Sequence, residues 1–338
     1  MKIFTISFLL ALIALCAVLF ILPDRIRTTV QTTSQEGYGV AATTYPIWVL
    51  TREVVDGTGI EVELLTPPDA GCPHDYVLTP NDLMKLSAAR KPLLLFKNGA
   101  GLDDHICEAA LSAGKGIEVI DTGAGIEVIG DDDDDHDAED DHDEHEEHDG
   151  EEDHEHEAEG HHHHHHGENG HFFASPYEAR KIVATIADEL AKTDILHANK
   201  FRENAAKLDK RLQILGDEFK AQLEPYADKH VAAQHNVFDY LLRDCGFETP
   251  LAIFADPETP PSPAEITAMT KEFKEHGVKV IFTEPQYPDE LAKLIGKETG
   301  AAVVKIDPVA SGPADPPVGY YFDIMHNNLE IMKKALAE

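Results

Sequence analysis

Residues 131–166 contain only Asp, Glu, His, Gly and Ala, so no side chain in them can build a core. Whatever this chain folds into must be assembled from the residues on either side. The stretch carries 12 histidines, six of them in the run His161–His166, and 20 acidic residues, which supply more than half of the formal net charge of −35. Low hydrophobicity and like charge predict a segment with no packed structure of its own. Its field repels phosphate and so argues against nucleic acid as a partner, whereas carboxylates and imidazoles attract divalent cations.

The flanks carry one pattern twice. Before the tract, YGVAATTYPIW, EVELLTP, KPLLLFKNG and KGIEVIDTG read as strands. IWVLTREVVDG, TPNDLMKLSAAR and GLDDHICEAALSAG between them have helical spacing and end at Gly or before Pro. After it, KHVAAQH, TPLAIFA, VKVIFTEP and AAVVKIDP alternate with four further helical stretches. Alternation of this kind predicts an α/β fold, here two doubly wound lobes with parallel sheets facing each other across a cleft. Ser175-Pro176-Tyr177-Glu178 reads as a capping box with Pro at the first helical position. The apolar face it opens (Ile182, Val183, Ile186, Leu190) continues through Phe201, Leu208, Leu212 and Phe219 with no Pro before Pro225. This predicts one long backbone helix of ~45 residues and ~70 Å joining the lobes, with Asp194 and Gly216 as weak points. The expected organisation is an anchor or signal with linker over 1–37, a first lobe over 38–130, a disordered loop over 131–170, the helix over 171–225 and a second lobe over 226–338.

Residues 3–22 contain no charge. At ~1.5 Å per residue they would span ~30 Å, about one hydrocarbon core, which reads as an uncleaved membrane anchor, with cleavage before Gly37 as the alternative. Cys16 follows Leu15 rather than the small residue a lipidation site needs. Four cysteines are too few for a disulfide scaffold. Either one bridge forms, with Cys72 and Cys107 as the expected pair, or Cys107 and Cys245 are buried thiols.

Polar residues just beyond strand ends are where such sheets bind ligands. His74, His235 and Asp307 occupy such positions, and His171 lies between the tract and the helix cap. Three imidazoles and one carboxylate, two from each lobe, make a tetrahedral set suited to Zn²⁺. His105, His197, His230, His276 and His326 read as surface or satisfied core residues.

At these residues the chain resembles the zinc-type solute-binding proteins of metal-uptake ABC transporters. TTYPIWVLTREVVDG resembles the family's opening strand and helix, and LLTPPDAGCPHDYVLTPNDLMKLSAA its first-ligand loop, with His74 in the P-H-x-Y position. HFFASPYEARKIVATIADEL, QHNVFDYLLRDCGFE and VVKIDPV follow in the family's order, and the likeness covers roughly residues 38–338. The resemblance implies an extracytoplasmic receptor, monomeric and not an enzyme, that captures Zn²⁺ as cargo for an ABC permease, with His74, His171, His235 and Asp307 as metal residues. Related manganese receptors tend to have a carboxylate where this chain has His235, and a third nitrogen favours Zn²⁺. Two departures stand out. Asn169-Gly170 replaces the Asp-Pro usual before the second histidine, so a flexible Gly170 could shift the His171 ring. Cys72 stands where an acid is common and could touch the metal, pair with Cys107 or merely pack. Glu284 either orients a ligand from behind or serves a helix start. The tract, often present in the family at this place, is read as a weak ion store beside the cleft. Competing readings are a manganese receptor of the same class, an extracellular zinc buffer or adhesin, and a zinc hydrolase. The last lacks both H-E-x-x-H and a nucleophile elbow.

Overall fold

Short runs of Val, Leu, Ile and Ala that are buried on both faces favour parallel sheets covered by helices. A computed structural model describes residues 37–130, 168–254 and 261–338. The expected anchor, residues 3–22, and the acidic tract, residues 131–166, lie outside the described residues. Among the described residues no helix is long and apolar enough to cross a membrane. Gly39–Glu338 forms one unit.

The first sheet contains β1 (Gly39–Ala42), β2 (Val62–Leu64), β3 (Leu93–Lys97) and β4 (Ile117–Asp121), all parallel, in the order β2-β1-β3-β4. Helices α1 (Tyr45–Val55), α2 (Pro80–Ala88) and α3 (Asp104–Ala113) connect them. Alternate residues Ala41, Leu93 and Leu95 point to one face, where they pack with Leu86 of α2 and Ile106 and Ala110 of α3. Next comes a short antiparallel ladder. β5 (Ile129–Gly130) pairs with β6 (Glu168–Asn169), so that Gly130 faces Glu168 and the two ends of the acidic insertion meet.

The run after the insertion differs from the single helix that its periodicity predicts. It forms α4 (Pro176–Thr193) and α5 (Ala198–Leu223), which turn back on each other. The break falls at Asp194, whose carboxylate accepts the His197 amide at 3.1 Å and faces His197 Nδ1 at 2.7 Å. Asp194 thus competes with the helix for a backbone donor. Tyr177 bonds Asp217, and Arg180 pairs with Asp209, as an antiparallel hairpin requires. Gly216 is no weak point: a Cβ there would lie 2.7 Å from the Tyr177 ring, so glycine permits the two helices to approach. Ser175 caps α4 as expected, accepting from Tyr177 N and Glu178 N. Glu178 does not close the box; its carboxylate turns to Arg243 at 2.8 Å and Lys181 at 2.7 Å. The longer of the two helices, α5, has 26 residues, ~39 Å, and touches both lobes. Asn204 on it donates to the carbonyls of Val54 and Asp56 in the first lobe, and Gln222 accepts from Lys333 in the second.

The second sheet contains β7 (Val231–Ala233), β8 (Leu251–Ala252), β9 (Val280–Thr283) and β10 (Ala302–Lys305), parallel, in the order β10-β9-β7-β8. Its helices are α6 (Asp239–Asp244), α7 (Pro263–Glu275), α8 (Glu290–Thr299) and α9 (Tyr320–Ala337). Ala232, Ile281, Phe273 and Ile295 centre its core. No disulfide joins Cys72, Cys107 or Cys245; all three are buried thiols. The expected Cys72–Cys107 bridge does not form, because Cys107 packs into the first lobe's core on α3 while Cys72 faces a cluster of histidines.

Candidate metal centre

Four donor residues meet at one point. Cys72, His74, His171 and His235 each present one ligand atom, and these atoms lie within 4.8 Å of one another. A tetrahedral zinc sphere needs donor-to-donor spacings of about 3.3–3.7 Å, so small side-chain rotations close the set. The three imidazoles stand nearly perpendicular to each other, with centroid separations of 5.5, 5.7 and 5.0 Å.

Each donor is held by its own local chemistry. Cys72 and His74 share the loop after β2, where Pro73 starts a short 3-10 turn, Pro73–Asp75. The loop is tied to the start of α2. Thr79 and Asp82 form a reciprocal capping box, and Tyr76 Oη donates to Asp82 Oδ2 at 2.7 Å. Burial pushes the Asp82 carboxyl up, but the donors from Tyr76, Thr79 and Lys85 outweigh it and hold the group down at about 2. This buried carboxylate is therefore charged at neutral pH.

His171 opens a second 3-10 turn, His171–Ala174, directly before α4. Asn169 Oδ1 accepts the His171 amide at 2.9 Å and lies 2.9 Å from His171 Nδ1. The amide contact fixes that oxygen in place, so Nδ1 carries the proton and Nε2 keeps its lone pair toward the cluster. Asn169 is itself anchored, donating to Asn236 O and Asp239 Oδ2. Gly170 is not a flexible hinge. Its φ is −82°, and a Cβ there would lie 2.8 Å from Leu102 Cβ, so close packing is what requires glycine. Burial, reinforced by the charges of His235 and His74, lowers the His171 pKa well below the ordinary imidazole value and keeps the ring neutral.

His235 follows β7 and is 2% exposed. Its Nδ1 lies 2.5 Å from Oε1 of Glu284, which follows β9 and is fully buried. Glu284 is fixed in turn by Gln234, which accepts its amide, and by Gln286, which donates to Oε2 at 2.6 Å. Of the two roles expected for Glu284, orienting a ligand is the one its position serves. Burial lowers the His235 pKa, but the Glu284 carboxylate and, after it, Cys72 more than offset this and the net shift is upward. The Tyr287 ring stands edge-on to His235 at 5.6 Å. A groove lined by Asp69, Gly71, Gln286, Tyr287 and Ser311 opens between the loops of the two lobes nearby.

Asp307 is outside the group. It follows β10 as expected, but its Oδ1 accepts the Val309 amide at 2.8 Å, and Asn328 binds its backbone on both sides. Burial, with Glu284 adding to it, raises the carboxyl pKa. The structure therefore groups three of the four residues expected from sequence, with Cys72 as the fourth member of the group and Asp307 outside it. The sequence signal for Cys72 was its place two residues before His74.

The family model described as "Zinc-uptake complex component A periplasmic" matches residues 40–335. The high-affinity zinc uptake system protein ZnuA of Bacillus subtilis is 27% identical over 301 residues, covering 88% of this chain and 87% of its own length. The zinc-binding protein AdcA of Streptococcus pyogenes is 27% identical over 296 residues. The chain covers 87% of itself but only 55% of AdcA in that match, about half of the longer relative. Among solved structures, the SBP FpvC of Pseudomonas aeruginosa in complex with Mn²⁺ is 26% identical with a TM-score of 0.70, covering 89% of this chain and 98% of its own. The laminin-binding adhesin Lmb of Streptococcus agalactiae, 22% identical with a TM-score of 0.68 over 89% of this chain and all of its own, shares the fold.

Proposed function

The chain belongs to the zinc-uptake complex component A periplasmic family, and from this premise we propose that it is an extracytoplasmic receptor which captures Zn²⁺ between its lobes and delivers it to an ABC permease. One observation carries the reading. Three imidazoles from separate parts of the chain converge, and two of them, His171 and His235, have the far nitrogen held by Asn169 and Glu284. That is the arrangement metal-ligating histidines adopt, with the second nitrogen spent on an orienting partner. Nitrogen and sulfur donors suit Zn²⁺, whereas Mn²⁺ prefers oxygen. Action as a receptor and not as an enzyme is part of the proposal. Membrane attachment through residues 3–22 and action as a monomer belong to the same proposal.

The acidic tract serves as an ion store beside this site. Its ends are paired at Gly130 and Glu168, and Asn169, next in sequence, orients His171.

The test is elemental analysis of protein purified without added metal, followed by competition between Zn²⁺ and Mn²⁺. One tightly held zinc per chain, preferred over manganese, is expected. Removal of residues 131–166 should abolish weak binding and leave the tight site. Loss of the tight site with the tract, or preference for manganese, overturns the assignment. Unimpaired growth of a deletion strain in chelated medium overturns the transport role.

A further inference from the structure

Beyond three imidazoles, a tetrahedral site needs a fourth donor, and Asp307, the carboxylate expected from sequence, is not among the grouped donors. We propose that the Cys72 thiolate is the fourth ligand and that this sulfur sets the site's preference among cations. The proposal rests on the zinc-receptor reading and adds to it the nature of the anionic donor.

Four observations converge on the sulfur. Cys72 is fully buried, and its Sγ lies 3.1 Å from His171 Nε2, the nitrogen that Asn169 leaves unprotonated. It shares a loop with His74, fixed at its far side by the Tyr76–Asp82–Thr79 network, so the loop delivers both donors together. His235 Nε2 is buried without a well-formed hydrogen bond and faces the same cluster. Finally, Asp307 lies outside the grouped donors, with its Oδ1 accepting the Val309 amide, and the competing fate of the thiol, a bridge to Cys107, does not occur.

The chemistry balances. Binding replaces the S–H bond with a metal–sulfur bond, and the proton leaves to solvent, so a dication enters against one new negative charge. A three-nitrogen, one-thiolate sphere is closed and softer than one completed by a carboxylate. It favours Zn²⁺, Co²⁺ and Cd²⁺ over Mn²⁺.

Cobalt reports directly on sulfur. Co²⁺ is titrated into the full-length protein and into Cys72→Ser, Cys72→Asp, Cys107→Ser and Asp307→Asn. The wild-type protein should show a near-ultraviolet thiolate-to-cobalt charge-transfer band that saturates at one equivalent. Cys107→Ser and Asp307→Asn should keep it. Cys72→Ser should lose the band and weaken zinc by more than about 100-fold, above the effect typical of an outer partner. Cys72→Asp should restore part of the affinity and lower the zinc-over-manganese preference by about tenfold or more. The histidines of the tract cannot produce the band. Tight cobalt binding without it, or loss of the tight site in Asp307→Asn but not in Cys72→Ser, overturns the proposal and leaves the receptor reading standing. Absence of any tight cobalt or zinc site overturns both.

Discussion

The two sheets share one strand order, and they use it differently. In each, the first strand lies between the second and the third, at the point where the winding reverses. In each, a buried carboxylate lies after the third strand and behind the residues that follow the first. In the second lobe that carboxylate is Glu284, set behind His235, whose other nitrogen faces the cluster. In the first lobe it is Asp103, and it closes a wholly internal network. Asp103 accepts from Thr43 Oγ1 at 2.5 Å and from the amides of Asn98 and Gly99 at 2.7 and 3.1 Å. The first lobe therefore contributes its donors from a loop after β2 instead. Topology fixes where a ligand site can arise, and the side chain at the switch point decides whether one does.

This contrast can be broken by experiment. The largest effect should come from His235→Ala, which removes a donor and strands the buried Glu284 carboxylate. Zinc affinity, measured by competition with a chromogenic chelator, should fall by more than about 100-fold; a loss below about tenfold would show that the second lobe's switch point is not central. Glu284→Gln should cost about 10–100-fold while the fold persists, as loss of an outer partner does. Unchanged affinity would make Glu284 the same kind of structural acid as Asp103.

Acidity sharpens the comparison next. Glu284, with Cys72, raises the His235 pKa against burial, so in the metal-free protein this ring holds a proton that zinc must displace. Affinity should therefore rise with pH and fall on acidification, about tenfold per pH unit for each proton displaced. Titration calorimetry between about pH 5.5 and 7.5 tests this, and a flat profile refutes an imidazole-based site. The smallest effect on zinc should come from Thr43→Val. Losing the Asp103 contact should lower stability by about 1–3 kcal/mol in denaturant unfolding, with the zinc affinity changed less than about twofold. A larger change in affinity would mean that the first lobe's switch point also feeds the site.

Much of this was legible in the residues. Alternating runs mark both lobes, and strand-end positions point to His74 and His235, because burial on two faces forces apolar strands and leaves polar side chains to the loops after them. Asp307 was located by the same rule but not oriented by it. A strand end fixes where a backbone stops, and the Val309 amide, two residues on, decides where the carboxylate points. The helix was overextended because apolar spacing resumes across Asp194, and only the side-chain contact with His197 breaks it. The ladder of β5 and β6, two residues each, is too short for any periodic signal. Cys72 fits three roles by sequence, which offers no means of choosing among them.

That two-residue ladder has a consequence for how such a chain can vary. Paired positions on antiparallel strands sit about 4.5–5.5 Å apart at their Cα atoms whatever lies between them. Gly130 and Glu168 therefore present the same doorway to the fold for any insertion, long or short. An insert can therefore change in length without moving that pairing, and the His171 ring, three positions past Glu168, stays where it is.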